Sequence, residues 1–234
     1  MTISERLAAV RGGIDEACRE AGRDPADVAL LAASKAHPPQ AIRAAYDAGQ
    51  RLFGESYVQE WREKAEHKSL VGLPDLRWHF IGALQRNKVK YLSGRVACIE
   101  SVGKASLAEE IDRRSRATGR VSDVLLSINV GREPSKAGFL PEQVNAALEH
   151  ILTLSGVRVR GLMAIPPRRS DGDETRRDHA TVRALRDELV ERFGVPLPSL
   201  SLGMSSDYAE AIAVGSTEVR VGTAIFGPRP PRGT

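Results

Sequence analysis

A chain of 234 residues with 41% hydrophobic and 27% charged side chains is long enough to bury a full core and has the make-up of an ordinary globular protein. No apolar run reaches the length of a membrane span and residues 1–6 lack the apolar stretch of a secretory signal, so no membrane is expected as a partner and the cytoplasm is the expected location. The formal charge of +4 comes from 34 basic and 30 acidic residues mixed along the chain, and no aromatic residues interleave with the Arg-Arg pairs at 113–114, 168–169 and 176–177, so nucleic acid is not expected as a main partner. Cys18 and Cys98 have no metal-ligand spacing and are expected to be buried thiols.

Ile3, Leu7, Val10, Ile14 and Cys18 recur at helical spacing, and Thr2 with Glu5 has the form of a capping box. Together they predict an amphipathic helix over 2–21, closed by Gly22. The run 28–34 carries no charge and predicts the first strand. Lys35 stands where that run stops, and Pro38 opens a helix with Ile42, Ala45 and Tyr46 on its buried side, closed by Gly49. The alternation continues with strand 51–54 and helix 57–67, strand 77–82 and helix 85–91, then strand 96–102 and a helix ending at Gly119. On that helix Glu109 with Arg113 and Glu110 with Arg114 sit four apart, acid first, as surface pairs. Residues 123–130 form the clearest buried strand. After the loop 131–138 comes a helix with Val144, Leu148, Ile151 and Leu152 on one side, then a sixth strand over 157–165. A charged, mobile loop over 166–174 leads into a helix marked by Val182, Leu185, Leu189 and Phe193. Residues 200–204 form the seventh strand, 207–214 a short helix and 218–226 the eighth strand. A flexible tail over 228–234 is expected behind a single domain over 1–227.

Eight strand-then-helix units with short connections point to an α/β fold, a single (β/α)8 barrel preceded by an N-terminal helix. A doubly wound open sheet is the alternative, but no Gly-x-Gly-x-x-Gly follows the first strand. Chemistry in such a barrel gathers at the C-terminal ends of the strands. Those ends bring Lys35 after the first strand, Glu55, Ser56 and Tyr57 after the second, and His79 within the third. Asn129 closes the fifth and Met163 lies near the end of the sixth. Ser201, Gly203, Met204, Ser205 and Ser206 surround the seventh, and Arg220, Gly222 and Thr223 the eighth.

A lysine at the end of a buried strand loses hydration, which favours the free amine, and a free amine attacks an aldehyde. The plainer reading is a side chain that reaches out to water. Lys104 and Lys136 also follow strands, but in polar loops that keep them hydrated. The Gly- and Ser-rich turns after strands seven and eight have the composition of a phosphate seat at helix N-termini, although Gly-x-Ser is also a common turn. Arg220 alternates with Val219 and Val221 and is expected to point into the barrel, as part of that seat or in a buried ion pair with Glu100 or Glu218. His79 is expected inside as well, either as a hydrogen-bonded core histidine or as a site residue.

Seven segments carry a resemblance: Ala33-Ser-Lys35, Phe53-Gly-Glu-Ser-Tyr-Val-Gln-Glu60, Trp78-His-Phe-Ile-Gly82, Gln85-x-Asn87-Lys88, Gly161-Leu-Met-Ala-Ile-Pro166, Ser201-Leu-Gly-Met-Ser205 and Val219-Arg-Val-Gly-Thr-Ala-Ile-Phe-Gly227. Together they resemble the pyridoxal phosphate homeostasis protein family over about residues 28 to 227. The resemblance implies the barrel of the alanine racemase N-terminal domain and one cofactor, pyridoxal 5′-phosphate. It implies that Lys35 forms the Schiff base. It implies that Ser201, Gly203, Met204 and Ser205, with Arg220, Gly222 and Thr223, hold the phosphate and the polar edge of the ring. His79, Met163 and the segment 53–57, Ser56 included, would line the ring. Ser56 stands where asparagine is usual, Ala83 where proline is usual and Ser206 where an acidic or small residue is common.

The role implied is a monomeric carrier that buffers pyridoxal phosphate or delivers it to apoenzymes, with little or no turnover. A racemase needs a base on each face of the substrate, and the chain is expected to have no room for the second domain that supplies one of them in alanine racemase. An alternative is a pyridoxal-phosphate racemase or decarboxylase with Tyr57 or His79 as second base. A Schiff-base aldolase without cofactor is a third reading.

Overall fold

Eight parallel strands close into a ring in which each pairs with the next in sequence and the eighth pairs with the first. The computed structural model describes residues 1–167 and 171–228. The basic pair at 168–169 and the tail after Pro228 lie outside these residues. The strands are β1 Ala29–Ala33, β2 Leu52–Glu55, β3 Arg77–Phe80, β4 Cys98–Val102, β5 Ser122–Ile128, β6 Val157–Ala164, β7 Ser199–Met204 and β8 Glu218–Val221. The helices are α1 Ile3–Glu20, α2 Pro39–Asp47, α3 Val58–Ala65, α4 Val89–Leu92, α5 Ala105–Ala117, α6 Val144–Ile151, α7 Gly172–Phe193, α8 Tyr208–Ala213 and α9 Thr223–Phe226. The expected barrel with its N-terminal helix is therefore the observed one.

The period of two along each strand sorts side chains between the ring and its helical coat. Phe53, Trp78, Phe80, Val219 and Val221 are buried in the cluster that joins the outer face of the ring to the helices. The rings of Phe53 and Trp78 meet there at 5.8 Å. The Thr2–Glu5 capping box starts α1, whose Leu7, Val10, Ile14 and Cys18 are buried against the last units of the barrel. Arg6 Nε donates to the Ile225 carbonyl at 2.7 Å, and Arg23 Nη1 donates to the carbonyls of Ile212 and Ser216 at 2.9 and 2.6 Å. The first helix and the turn after it are thus tied to α9, to α8 and to the turn before β8.

The ring interior holds two apolar clusters and one polar cluster. Leu31, Ala33 and Leu52 form the first and Cys98, Leu125 and Met163 the second. His79, Glu100, Ser201, Glu218 and Arg220 form the polar one. Register slips in β4, β6 and β7, where one extra residue faces the neighbouring strand, bend the ring closed. At the slip in β6, Gly161 has φ +153°, and a Cβ there would stand 1.7 Å from the Ser199 carbonyl oxygen, so only glycine lets β7 pair.

Four expectations change. The eighth strand stops at Val221, because the Gly222 carbonyl accepts the N–H groups of Ile225 and Phe226 and turns the chain into α9. Arg113 joins Arg114 on Glu110, while Glu109 reaches His150 on α6, so the Glu109–Arg113 pair does not form. Leu152 is 41% exposed, because α6 ends at Ile151. The helix after the expected 166–174 loop begins earlier, at Gly172, since Asp171 accepts the Asp173 N–H; residues 168–170 of that loop lie outside the described residues.

Candidate functional site

The C-terminal mouth of the barrel holds a cavity of about 680 Å³. Lys35 enters it from the loop after β1, Met204, Ser205, Ser206 and Asp207 from the turn after β7, and Arg220, Gly222 and Thr223 from β8 and α9. The wall is completed by Ile81 and by residues 165–167 after β6. Lys35 is half-buried at the rim, and His37 stacks on Phe226 with ring centroids 5.1 Å apart, which packs the loops of the first and eighth units together. Six residues expected at the site therefore share one cavity: Lys35, Met204, Ser205, Arg220, Gly222 and Thr223.

The turn after β7 is built by its backbone. Gly203 has φ +87°, and a Cβ on it would meet Ala211 Cβ at 2.7 Å, so the turn closes tightly onto α8. Asp207 Oδ1 accepts the Met204 N–H at 2.8 Å, and Asp207 Oδ2 lies 3.0 Å from His179 Nε2 on α7. Burial raises the Asp207 carboxyl, but the His179 and Met204 hydrogen bonds outweigh it and hold the group below its ordinary value. Gly222 opposite lies so near Ala33 that a Cβ would stand 3.0 Å from the Ala33 carbonyl oxygen. Two glycine turns, three hydroxyl side chains and the first-turn N–H groups of α8 and α9 make a seat suited to a phosphoryl group.

Five expected residues lie elsewhere. Gly203 shapes the turn without lining the cavity. Ser56 is partly buried after β2 and is not on the cavity wall. Met163 is packed against Cys98 and Leu125 in an apolar cluster of the interior. His79 and Ser201 belong to the polar cluster. His79 Nδ1 is 2.7 Å from Glu100 Oε1 and 3.4 Å from Glu218 Oε2. Ser201 Oγ lies 2.7 Å from Glu100 Oε2 and 2.9 Å from Glu218 Oε1. Arg220 joins the two regions: Nη1 donates to the Ser201 carbonyl at 2.6 Å and Nη2 to the Ala164 carbonyl at 2.8 Å, while Nη1 stands 4.0 Å from Glu100. Arg220 thus points inward as expected, and it is both a floor of the cavity and the counter-charge of the cluster below.

Burial and the groups that face one another set the ionisation of that cluster. Burial opposes charge on Glu100, but the hydrogen bond and charge of His79 and the charge of Arg220 hold its carboxyl below the ordinary value. Burial and the neighbouring Glu100 charge push Glu218 up to about 8. Burial works against the His79 imidazolium, yet the Glu100 hydrogen bond and the two carboxyl charges raise it above its usual range. Ligand atoms of His79, Glu100 and Glu218 lie within 4.8 Å of one another, a spacing that suits a cation. The positive charge there is already supplied by Arg220, and Ser201 fills the remaining side. The cluster is an internally compensated network.

The Glu218 shift has a testable consequence. A carboxyl raised from 4.5 to about 8 contributes stability that is complete below the ordinary value and is lost as pH rises through the folded one. Glu218→Gln is the isostere of the protonated acid. Its melting temperature is expected to lie close to the wild type's near about pH 5 and to exceed it by roughly 10 °C near about pH 9. Parallel melting curves across that interval would show that Glu218 carries no such proton.

Sequence reasoning placed Glu55 at the strand end but missed its neighbours Lys64 and Glu60 beside Lys35. Lys64 Nζ on α3 is buried and donates to the Ser34 carbonyl, Glu55 Oε1 and Glu60 Oε1 at 2.9, 2.7 and 2.5 Å. The spacing of Glu60 and Lys64, four apart and acid first, was available as a signal, but it reads as an exposed helix pair.

The family model described as "Alanine racemase, N-terminal domain" matches residues 7–230. A pyridoxal phosphate homeostasis protein of Aquifex aeolicus is 46% identical over 229 residues, which is 98% of this chain and 99% of that protein. The solved structure of PipY from Synechococcus elongatus with PLP bound is 40% identical with a TM-score of 0.85, covering 97% of this chain and 100% of that one. The alanine racemase of Clostridium difficile, 14% identical, shares the fold alone, with a TM-score of 0.78 over 99% of this chain and 58% of that one.

Proposed function

The chain belongs to the pyridoxal phosphate homeostasis protein family, and from that premise we propose that it binds pyridoxal 5′-phosphate through Lys35 and acts to buffer the cofactor or hand it to apoenzymes, with little or no turnover of its own. The observation that carries this reading is the sharing of one cavity by the Lys35 amine, the Arg220 guanidinium and the hydroxyl- and glycine-lined turns after β7 and β8. When bound, the cofactor supplies an aldehyde that a lysine amine takes up reversibly, together with an electron-withdrawing ring.

The residues of this chain divide the work of holding it. Ser205, Ser206, Gly222 and Thr223 would receive the phosphate, since small residues allow backbone N–H groups to approach an anion closely. Arg220 would face the polar edge of the ring and bring positive charge to the cavity floor. Ile81 on the cavity wall would give the ring an apolar neighbour. Turnover is disfavoured by what surrounds the cavity. His79 is engaged with Glu100 beneath it, and Tyr57 is 49% exposed at the start of α3. Neither candidate for a second base is on the cavity wall among the described residues.

The test is transfer. Protein loaded with pyridoxal phosphate is mixed with an aminotransferase stripped of its cofactor, and recovery of the transferase is followed. The loaded chain is expected to restore it while exchanging amino-acid enantiomers no faster than the free cofactor does. Enantiomer exchange well above that level would replace the carrier reading by an enzymatic one.

A further inference from the structure

Both peptide groups that flank Lys35 are gripped by one buried cluster from the next β/α unit. The Lys64 ammonium, 3% exposed, has three acceptors: the Ser34 carbonyl at 2.9 Å, Glu55 Oε1 at 2.7 Å and Glu60 Oε1 at 2.5 Å. Glu60 Oε1 also accepts the Ala36 N–H at 2.5 Å, and Ser34 Oγ donates to Glu55 Oε1 at 2.6 Å. The carbonyl before Lys35 and the N–H after it therefore end on the same ion-paired cluster. Just past the second of those points Ala36 has φ +65°, a left-handed conformation that alanine adopts against its steric preference. The Ser34 carbonyl also accepts the His37 N–H at 3.1 Å, which closes a turn over Lys35 and Ala36, and the cluster holds the peptide groups on both sides of Lys35 within that turn.

We propose that Lys64, Glu55 and Glu60 are positioning residues, which hold the 34–36 backbone in the strained turn that directs the Lys35 amine into the cavity. The proposal rests on the reading of Lys35 as the covalent anchor. Lysine is long and rotatable, and a loose backbone would let it reach outward into water, where its amine is hydrated. Fixing the peptide on either side removes much of that freedom before any ligand arrives, which is how preorganisation speeds a bond-forming encounter.

Two features separate this cluster from fold adhesive. A buried ion pair is a poor way to gain stability, because well-packed apolar side chains of like volume serve as well or better. Moreover, Glu55 Oε2 is buried without a hydrogen-bond partner, and burial pushes the Glu55 carboxyl up to about 7 despite Lys64. The cluster thus leaves an oxygen unsatisfied while satisfying both peptides beside Lys35.

The experiment mixes pyridoxal phosphate with cofactor-free wild type, Lys64→Met, Glu60→Ala and Glu60→Gln, and follows covalent capture by visible absorbance well below each melting temperature. In parallel, the rate of Lys35 acetylation by acetic anhydride is read by mass spectrometry on cofactor-free protein. Capture is expected to slow about 10- to 100-fold in Lys64→Met and Glu60→Ala, with a changed Lys35 acetylation rate. Glu60→Gln, which keeps an oxygen for the Ala36 N–H, should stay within about threefold of wild type. Adding Ala36→Gly to Glu60→Ala should recover part of the loss, because glycine enters the turn without the steric cost. If Lys64→Met does not fold, the Glu60 variants carry the test, since that side chain is 23% exposed. Folded Glu60→Ala that captures and acetylates like wild type, merely melting lower, overturns the positioning role. Lys35→Ala separates the two layers: covalent capture persisting there strikes the anchor itself, whereas its loss there beside unslowed Lys64 and Glu60 variants strikes the positioning role alone.

Discussion

Lys35→Ala is expected to abolish covalent capture of pyridoxal phosphate and the visible band of the lysine-bound cofactor. Lys35 is the lysine on the cavity wall among the described residues. Lys64 is committed to its three acceptors and Lys136 to Glu133 and to the carbonyls of Ile165 and Pro166, while Lys104 after β4 is exposed and off the cavity wall. The phosphate seat formed after β7 and β8 is untouched by the substitution, so non-covalent retention should persist, weakened on the order of 100-fold. The melting temperature without cofactor should stay near wild type, since a half-exposed lysine contributes little to packing. Absorbance during titration, with intact-mass measurement after borohydride reduction, checks the result. A reduced adduct in Lys35→Ala would move the anchor to another amine.

Arg220→Ala should have two large effects at once. Its guanidinium spans β6, β7 and β8 through the carbonyls of Ala164 and Ser201 and stands beside Glu100. Removing it leaves two buried carbonyls short of a donor and takes a positive charge from beside a fully buried carboxylate, at a cost of about 3 kcal/mol. For a domain of this size that lowers the melting temperature by roughly 10 °C. Retention of pyridoxal phosphate should fall about 10- to 100-fold, as expected when a charge-assisted donor is lost from a binding site. Arg220→Lys keeps the charge but not the planar fork, and should fall between. Dialysis of loaded protein at a temperature where both variants are folded separates binding from stability. Unchanged retention there would make Arg220 a purely structural residue.

Much of the architecture is legible from local pattern. The uncharged run ending at Lys35, the capping box at Thr2 and Glu5 and the alternation of Arg220 with two valines are short-range signals, and each has its structural counterpart. Depth along a strand is less legible. Parity places His79, Met163 and Ser201 inside the ring, but only the stagger of neighbouring strands decides whether an inward side chain reaches the mouth or the layer beneath. The extra residues in β4, β6 and β7 set that stagger, and periodicity does not reveal them. Residues 222–226 continue an apolar pattern that reads as strand, whereas Gly222 diverts them into a turn of helix. Lys64 was hidden for the opposite reason. Its spacing from Glu60 is that of a solvent-exposed pair, and its burial comes from β1 and β2 folding over it.

Because β1 is zipped to β8 by Ala29 against Glu218 and Leu31 against Arg220, the amine and its anion seat meet in space although they are contributed by the first and last units of the barrel. A nascent polypeptide that has made only its early repeats owns a lysine with no more grip on an aldehyde than any solvated amine. Tight capture switches on when the hoop is fastened, so appearance of bound cofactor during synthesis or refolding would time that final fastening.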